Sequence, residues 1–162
     1  MARRQRVMVP RKRRDWIALQ NFTGTAMVDD TPSGVPLISV DSDAVGLTVA
    51  RIVGTVHVTP DTTADVGSYT WGIHKSQEVT STNTMLDPMH SGDRQANSWL
   101  HLCTVHTAGV QAMWIAAQQE VVNVDIKVMR KVEPNEHLSL VWNTNLTNGG
   151  CIFWALRMLV LK

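Results

Sequence analysis

Cysteine and the smaller aromatic residues are scarce in this chain of 162 residues: Cys103 and Cys151 are its only thiols, and two Phe and one Tyr stand beside six Trp. Two thiols make no disulfide framework, and they could pair if the fold brings them together, which their spacing does not decide; the fold must rest on its own core, and a reducing compartment is the expectation. No run approaches eighteen apolar residues, and the N-terminus has charge without an apolar segment behind it. Neither a membrane span nor a secretory signal is therefore expected. Asn21-Phe-Thr and Asn145-Leu-Thr match the glycosylation pattern, but without export they are read as chance. Catalytic motifs are missing as well: there is no Gly-x-Ser-x-Gly elbow, no glycine-rich phosphate loop and no Cys-x-x-Cys pair. The six histidines, at positions 57, 74, 90, 101, 106 and 137, have no evident acid or nucleophile partner. The expectation is no enzyme, no cofactor and no metal.

The most informative absence is that of carboxylates from the first fourteen residues. Arg3, Arg4, Arg6, Arg11, Lys12, Arg13 and Arg14 place seven positive charges there. The formal charge of the whole chain is +1, so residues 15–162 carry eight basic and fourteen acidic groups, a net of −6. A cationic arm, residues 1–15, thus precedes an acidic body, residues 16–162, of a size suited to one domain. Close-set like charges repel and bury no apolar surface, and Pro10 discourages a continuous helix, so the arm is expected to be disordered when free. Its natural partner is nucleic acid. Guanidinium groups contact phosphate bidentately, each neutralised phosphate releases counterions, and arginine outnumbers lysine six to one in this stretch. A solvated tail and a nuclear import signal in Arg11 to Arg14 are the plainer readings of such a run.

The body reads as strands. Trp16 to Met27 predicts a first strand, stopped by the turn residues Asp29 to Gly34, and Pro36 to Val40 a short second one. Gly46 to Thr59 is rich in Val, Ile and Thr. Gly67 to His74 is a further strand, with Gly72 marking a bulge or a close backbone approach. Residues 76–97 are polar and predict a long loop, of the kind that is functional or covered by a partner. Ser98 to His106 returns to strand composition, and Ala112 to Gln119 fits strand and short helix equally. Val122, Val124, Ile126 and Val128 alternate with Asn123, Asp125 and Lys127, which puts one face in a core and the other in water. After a turn at Glu133 to Glu136, Leu138, Leu140 and Trp142 alternate again. Cys151 to Leu161 is almost wholly apolar, apart from Arg157, and predicts a strand covered on both faces. About eight strands with no crossover helices predict an antiparallel sandwich or barrel.

Within these strands, His101 and Cys103 share a face and His106 the opposite one, too thin a set for a metal centre when half-buried strand histidines are commonplace. Asp29-Asp30 and Asp41-Ser-Asp43 suit turns as well as they suit calcium. Trp71, Trp99, Trp114, Trp142 and Trp154 fit a packed core; five are many for one core, which leaves subunit contacts and base stacking open.

The layout of arginine-rich arm, acidic Trp-rich β body and long polar loop resembles the capsid proteins of small viruses. It is most similar to the single jelly-roll coat proteins of small circular single-stranded DNA viruses, in the segments Ser68-Tyr-Thr-Trp-Gly-Ile-His74, Asn97-Ser-Trp-Leu-His101, Val124-Asp-Ile-Lys-Val-Met-Arg-Lys-Val132 and Glu136-His-Leu-Ser-Leu-Val141. The resemblance implies an eight-stranded single jelly roll, copies of which close into an icosahedral shell with the arms inside. Its implied partners are sixty copies of itself and a single-stranded genome, DNA in preference to RNA, with no membrane. The implied location is the virion, with passage through the host nucleus. Arg3, Arg4, Arg6, Arg11, Lys12, Arg13 and Arg14 carry over as the genome-binding set. Sixty arms bring on the order of 420 charges, short of one per nucleotide for a genome of roughly a thousand nucleotides, so other cations must supply the rest. The competing reading is a non-structural β-barrel that binds single strands with arm and barrel together.

Overall fold

Val122, Val124, Ile126 and Val128, the cleanest alternation in the sequence, point into the core, while Asn123, Asp125 and Lys127 between them are exposed. The same logic, repeated strand by strand, builds two sheets with one apolar face each. The structure, a computed structural model, describes residues 13–28, 33–60, 67–76, 99–107, 120–145 and 149–161. Among them are eight strands: β1 (Arg14–Met27), β2 (Ser33–Ser39), β3 (Leu47–Pro60), β4 (Gly67–Ser76), β5 (Trp99–Thr107), β6 (Glu120–Val132), β7 (His137–Thr144) and β8 (Gly150–Leu161). They form two four-stranded antiparallel sheets, ordered β1-β8-β3-β6 and β2-β7-β4-β5. Only β4 and β5 are consecutive strands paired with each other; every other connection crosses between the sheets. That interleaving is the jelly roll.

The core lies between the layers. One sheet contributes Val49, Ile52, Val56, Ile152, Leu156, Met158 and Val160, the other Tyr69, Trp71, Ile73, Leu138 and Leu140, all essentially out of solvent. Each such side chain stabilises the fold by about 1.5–3 kcal/mol relative to exposure. Trp142 of β7 and Trp154 of β8 meet across the gap with ring centroids 6.1 Å apart. The sheets are also tied by a partly buried ion pair: Lys75 Nζ on β4 donates to both Glu136 carboxylate oxygens, at 3.0 and 2.9 Å, and to the backbone oxygen of Lys131 on β6 at 3.3 Å. Burial pushes the Glu136 carboxyl up, but the backbone N–H of Glu133 and the Lys75 ammonium outweigh it and hold the group below its ordinary value.

Four expectations are refined. β1 opens at Arg14, inside the basic run rather than after it, and β2 takes in Ser33 and Gly34 from the expected turn. β8 is not covered alike on both faces. It is the strand between β1 and β3, with Ile152, Trp154, Leu156, Met158 and Val160 in the core and its other face half-buried around an exposed Arg157. β7 is the strand buried on both sides, because Ser139 and Val141, on the face away from the core, are as inaccessible as Leu138 and Leu140. Residues 77–98, which hold most of the polar loop, and Ala112 to Gln119 lie outside the described residues.

Candidate nucleic-acid interface

Of the seven arm cations, Arg3, Arg4, Arg6, Arg11 and Lys12 lie outside the described residues. Arg13 is exposed, and its Nε donates to Asp15 Oδ1 at 3.2 Å. Arg14 begins β1 opposite Leu161 and is exposed. The basic run therefore enters the domain along an edge strand of the β1-β8-β3-β6 sheet, on that sheet's outer face.

The strand registers lay this face out in rows. The first holds Arg14, Leu161, Thr48 and Lys131; the second Trp16, Leu159, Arg51 and Lys127; the third Ala18, Arg157, Val53 and Asp125. A fourth row of Gln20, Ala155, Thr55 and Asn123 leads to an apolar end at Phe153, His57 and Val121, beside which Phe22 projects. The cations collect at the end where the arm enters. Five of the eight basic residues of the body, Arg51, Lys127, Arg130, Lys131 and Arg157, stand in the strands of this one sheet, with only Asp15, Glu120 and Asp125 as acids. Arg14 apart, which is counted with the arm, those strands carry a net of +2 within a body of −6.

Trp16 is the unexpected member. The residue is 52% exposed, unusual for so large an apolar group, and it borders a depression lined by Ala18, Arg51, Val53 and Arg157. Arg51 holds Asp125 in a bidentate pair, Nε to Oδ1 at 2.8 Å and Nη2 to Oδ2 at 2.7 Å. That hydrogen bonding and charge raise the Arg51 pKa and hold the Asp125 carboxyl below its ordinary value. Arg157 makes no ion pair among the described residues. Arg51 reaches this face because the register shifts between Val49 and Arg51 in both pairings of β3, opposite Met129 with its φ of 48°. Strict alternation would have put Val49 and Arg51 on one side. With the bulge, Val49 goes into the core and Arg51 out.

The other residues singled out by the sequence lie elsewhere. Trp71, Trp142 and Trp154 are core residues, so none of them is a stacking platform; the side chain of Trp99 and all of Trp114 lie outside the described residues. His101 and Cys103 do share the core-facing side of β5, where the His101 ring lies against Trp71 at a centroid distance of 4.9 Å. Cys103 and Cys151 stand on different sheets and no disulfide joins them. Asn21 and Asn145, the chance glycosylation matches, are structural. Asn21 Oδ1 accepts from the N–H groups of Thr23 and Gly24 at 3.1 Å, shaping the bulge of β1 that carries Phe22, and Asn145 Oδ1 accepts from the Ser68 N–H at 2.6 Å. Asp41 to Asp43 form a turn, Asp29-Asp30 lie outside the described residues, and no group of three metal-ligating side chains occurs among the described residues.

No family model matches the chain, and no curated protein is similar to it. Among solved structures, the chain is similar to the coat protein of Tobacco streak virus, with 11% identity, a TM-score of 0.43, and coverage of 97% of this chain and 91% of that one. A likeness at that level assigns no role to any residue here.

Proposed function

We propose that this protein is a viral capsid subunit that closes into a small icosahedral shell and packages a nucleic-acid genome through its arginine-rich arm. The observation that supports this best is the junction at Arg14, where a run of seven cations passes without a linker into an edge strand of a jelly roll. A fold alone does not specify a function. A polycation fixed to the cationic face of an otherwise acidic sandwich, however, is the arrangement a shell needs: the arm and the face it enters meet the nucleic acid, and the acidic remainder of the body does not. The genome-binding set is Arg3, Arg4, Arg6, Arg11, Lys12, Arg13 and Arg14, and the partners are sixty copies of the chain and a single-stranded genome, DNA in preference to RNA. The same basic cluster serves as the nuclear import signal, and the virion is the final location.

The charge arithmetic eases under this reading. Adding the sheet's net +2 to the arm's seven gives nine per copy, or about 540 for sixty copies, still below a genome of roughly a thousand phosphates, with bound cations making up the difference. The test is to express the full chain and a variant lacking residues 2–13. The full chain should form uniform spherical particles that contain nucleic acid. The shortened chain should keep its β-domain folded, because β1 begins at Arg14, and should lose most of the nucleic acid. A shortened chain that packages normally would refute the role of the arm.

The competing reading, a non-structural single-strand-binding β-barrel, is favoured by one observation, the exposed Trp16 bordering the same depression as Arg51 and Arg157. It predicts a protein that stays monomeric when nucleic acid is bound.

A further inference from the structure

We infer that the basic half of the outer face of the β1-β8-β3-β6 sheet is itself a binding surface for single-stranded nucleic acid, with Trp16 stacking on a base and Arg14, Lys127, Lys131 and Arg157 on the flanking phosphates. The inference rests on the reading of the arm as a nucleic-acid tether, and extends it from the arm to the folded domain.

Four observations carry it. The first is Trp16, half open to solvent on a sheet whose opposite face packs its large apolar groups into or against the core. An indole in that position offers a flat face to any unpaired base, and stacking of that kind tolerates every sequence. The second is the company it keeps: Leu159, Arg51 and Lys127 continue its row across the sheet, Arg157 sits in the next row, and a depression between Trp16, Arg51 and Arg157 gives a base room to enter. The third is the direction of the charge. Four of the body's eight cations, Arg51, Lys127, Lys131 and Arg157, stand in the rows of this face, although the body is acidic as a whole. The fourth is continuity, since Arg14 belongs at once to the arm and to the first row of this face. A strand held by the arm is thereby delivered onto Trp16.

The chemistry selects a single strand over a duplex, because bases paired within a helix present no face to the indole. It also selects nucleic acid over a second copy of the chain at this end of the face. The residues suited to a protein contact, Phe22, Phe153 and Val121, are gathered at the opposite end. Asp125 is the one acid in the rows, and its pairing with Arg51 acts as a brake on phosphate binding there.

The test uses the full chain in two forms, natural and with Arg3, Arg4, Arg6, Arg11, Lys12 and Arg13 replaced by Gln, each titrated with a short fluorescent single-stranded oligonucleotide, DNA and RNA, over a range of salt. The arm-substituted chain should bind more weakly with a shallower salt dependence; if it binds as the natural chain does, the reading of the arm fails, independently of the sheet. In either form Trp16→Ala should weaken binding roughly 5- to 100-fold, and Trp16→Phe should recover most of the loss. Arg157→Gln and Lys127→Gln should each lower the slope of log affinity against log salt by about 0.7. Asp125→Asn should tighten binding, a gain that a merely structural role for this carboxylate would not produce. Trp16 and Arg157 are exposed, so these variants should melt as the parent does, and the Phe and Asp125 variants cover the case in which Trp16→Ala does not. Unchanged affinity and slope across the sheet variants would overturn the proposal. So would the absence of residual binding in the arm-substituted chain, or variants that bind the oligonucleotide normally but lose self-association, which would make this face a contact between copies.

Discussion

At the residue scale the core contains one arrangement with a measurable pH consequence. The His101 ring lies against Trp71 with centroids 4.9 Å apart and the planes tilted by 39°, and among the described residues neither His101 Nε2 nor Trp71 Nε1 has a hydrogen-bond partner. Burial lowers the pKa of His101, and that of His74 on β4, below the ordinary imidazole value. The folded state thus favours the neutral rings. Their contribution is fully present above the unfolded pKa of about 6.5 and is lost as pH falls from there through the folded values. The denaturant midpoint should therefore drop between about pH 7 and pH 5, and His101→Phe, which keeps the ring contact and removes the titration, should flatten part of that drop. Trp71→Ala should cost about 3–5 kcal/mol of stability by leaving a cavity, with no loss of nucleic-acid affinity per folded molecule. The packed-core reading of Trp71 holds, and its alternative as a stacking residue falls. Trp71 and Trp16 are not distinguishable by composition; what separates them is which face of a strand each occupies, and that depends on register. Trp16 was legible only as a strand residue, because its cationic neighbours Arg51 and Arg157 come from strands far away in the chain.

At the element scale, the connection between the layers runs through Lys75 and Glu136. Replacing Lys75 with Met should destabilise the fold by about 1–3 kcal/mol, since it strips the partly buried Glu136 carboxylate of its cation, and chemical denaturation measures the loss. Because the Glu136 pKa is depressed, its contribution is present above the ordinary carboxyl range and is lost as pH falls through its folded value, so the Lys75→Met penalty should shrink in acid. Gly54 tests β3 in another way. Its φ is +146°, and a Cβ there would run into the carbonyl oxygen of Ala155 on β8, so Gly54→Ala should cost about 1–3 kcal/mol or more. The strands themselves were legible, above all β6, because alternation and β-branched composition follow directly from one buried face. The strand order was not derivable from periodicity, which says which face is apolar but not which strand lies beside it; the jelly roll came from the resemblance. The bulge between Val49 and Arg51 and the double burial of β7 were also hidden. Both depend on what packs across from the strand, and a local pattern carries no record of that.

At the scale of the whole molecule the governing feature is the separation of charge, seven cations in the arm and a net of −6 in the body, with the body's own cations drawn towards the arm's point of entry. Such a molecule should bind nucleic acid with a steep salt dependence, losing affinity by orders of magnitude as salt rises, as expected when several phosphates are neutralised together. It should also remain folded when the arm is removed, since the described core draws no residue from positions 1–12. Self-assembly is where the capsid reading and a solitary binding protein part. Analytical ultracentrifugation of the purified full chain at high concentration, with and without single-stranded nucleic acid, separates them directly. The expected result is one fast-sedimenting species of uniform size whose absorbance ratio marks enclosed nucleic acid, and a protein that remains monomeric under both conditions would contradict it.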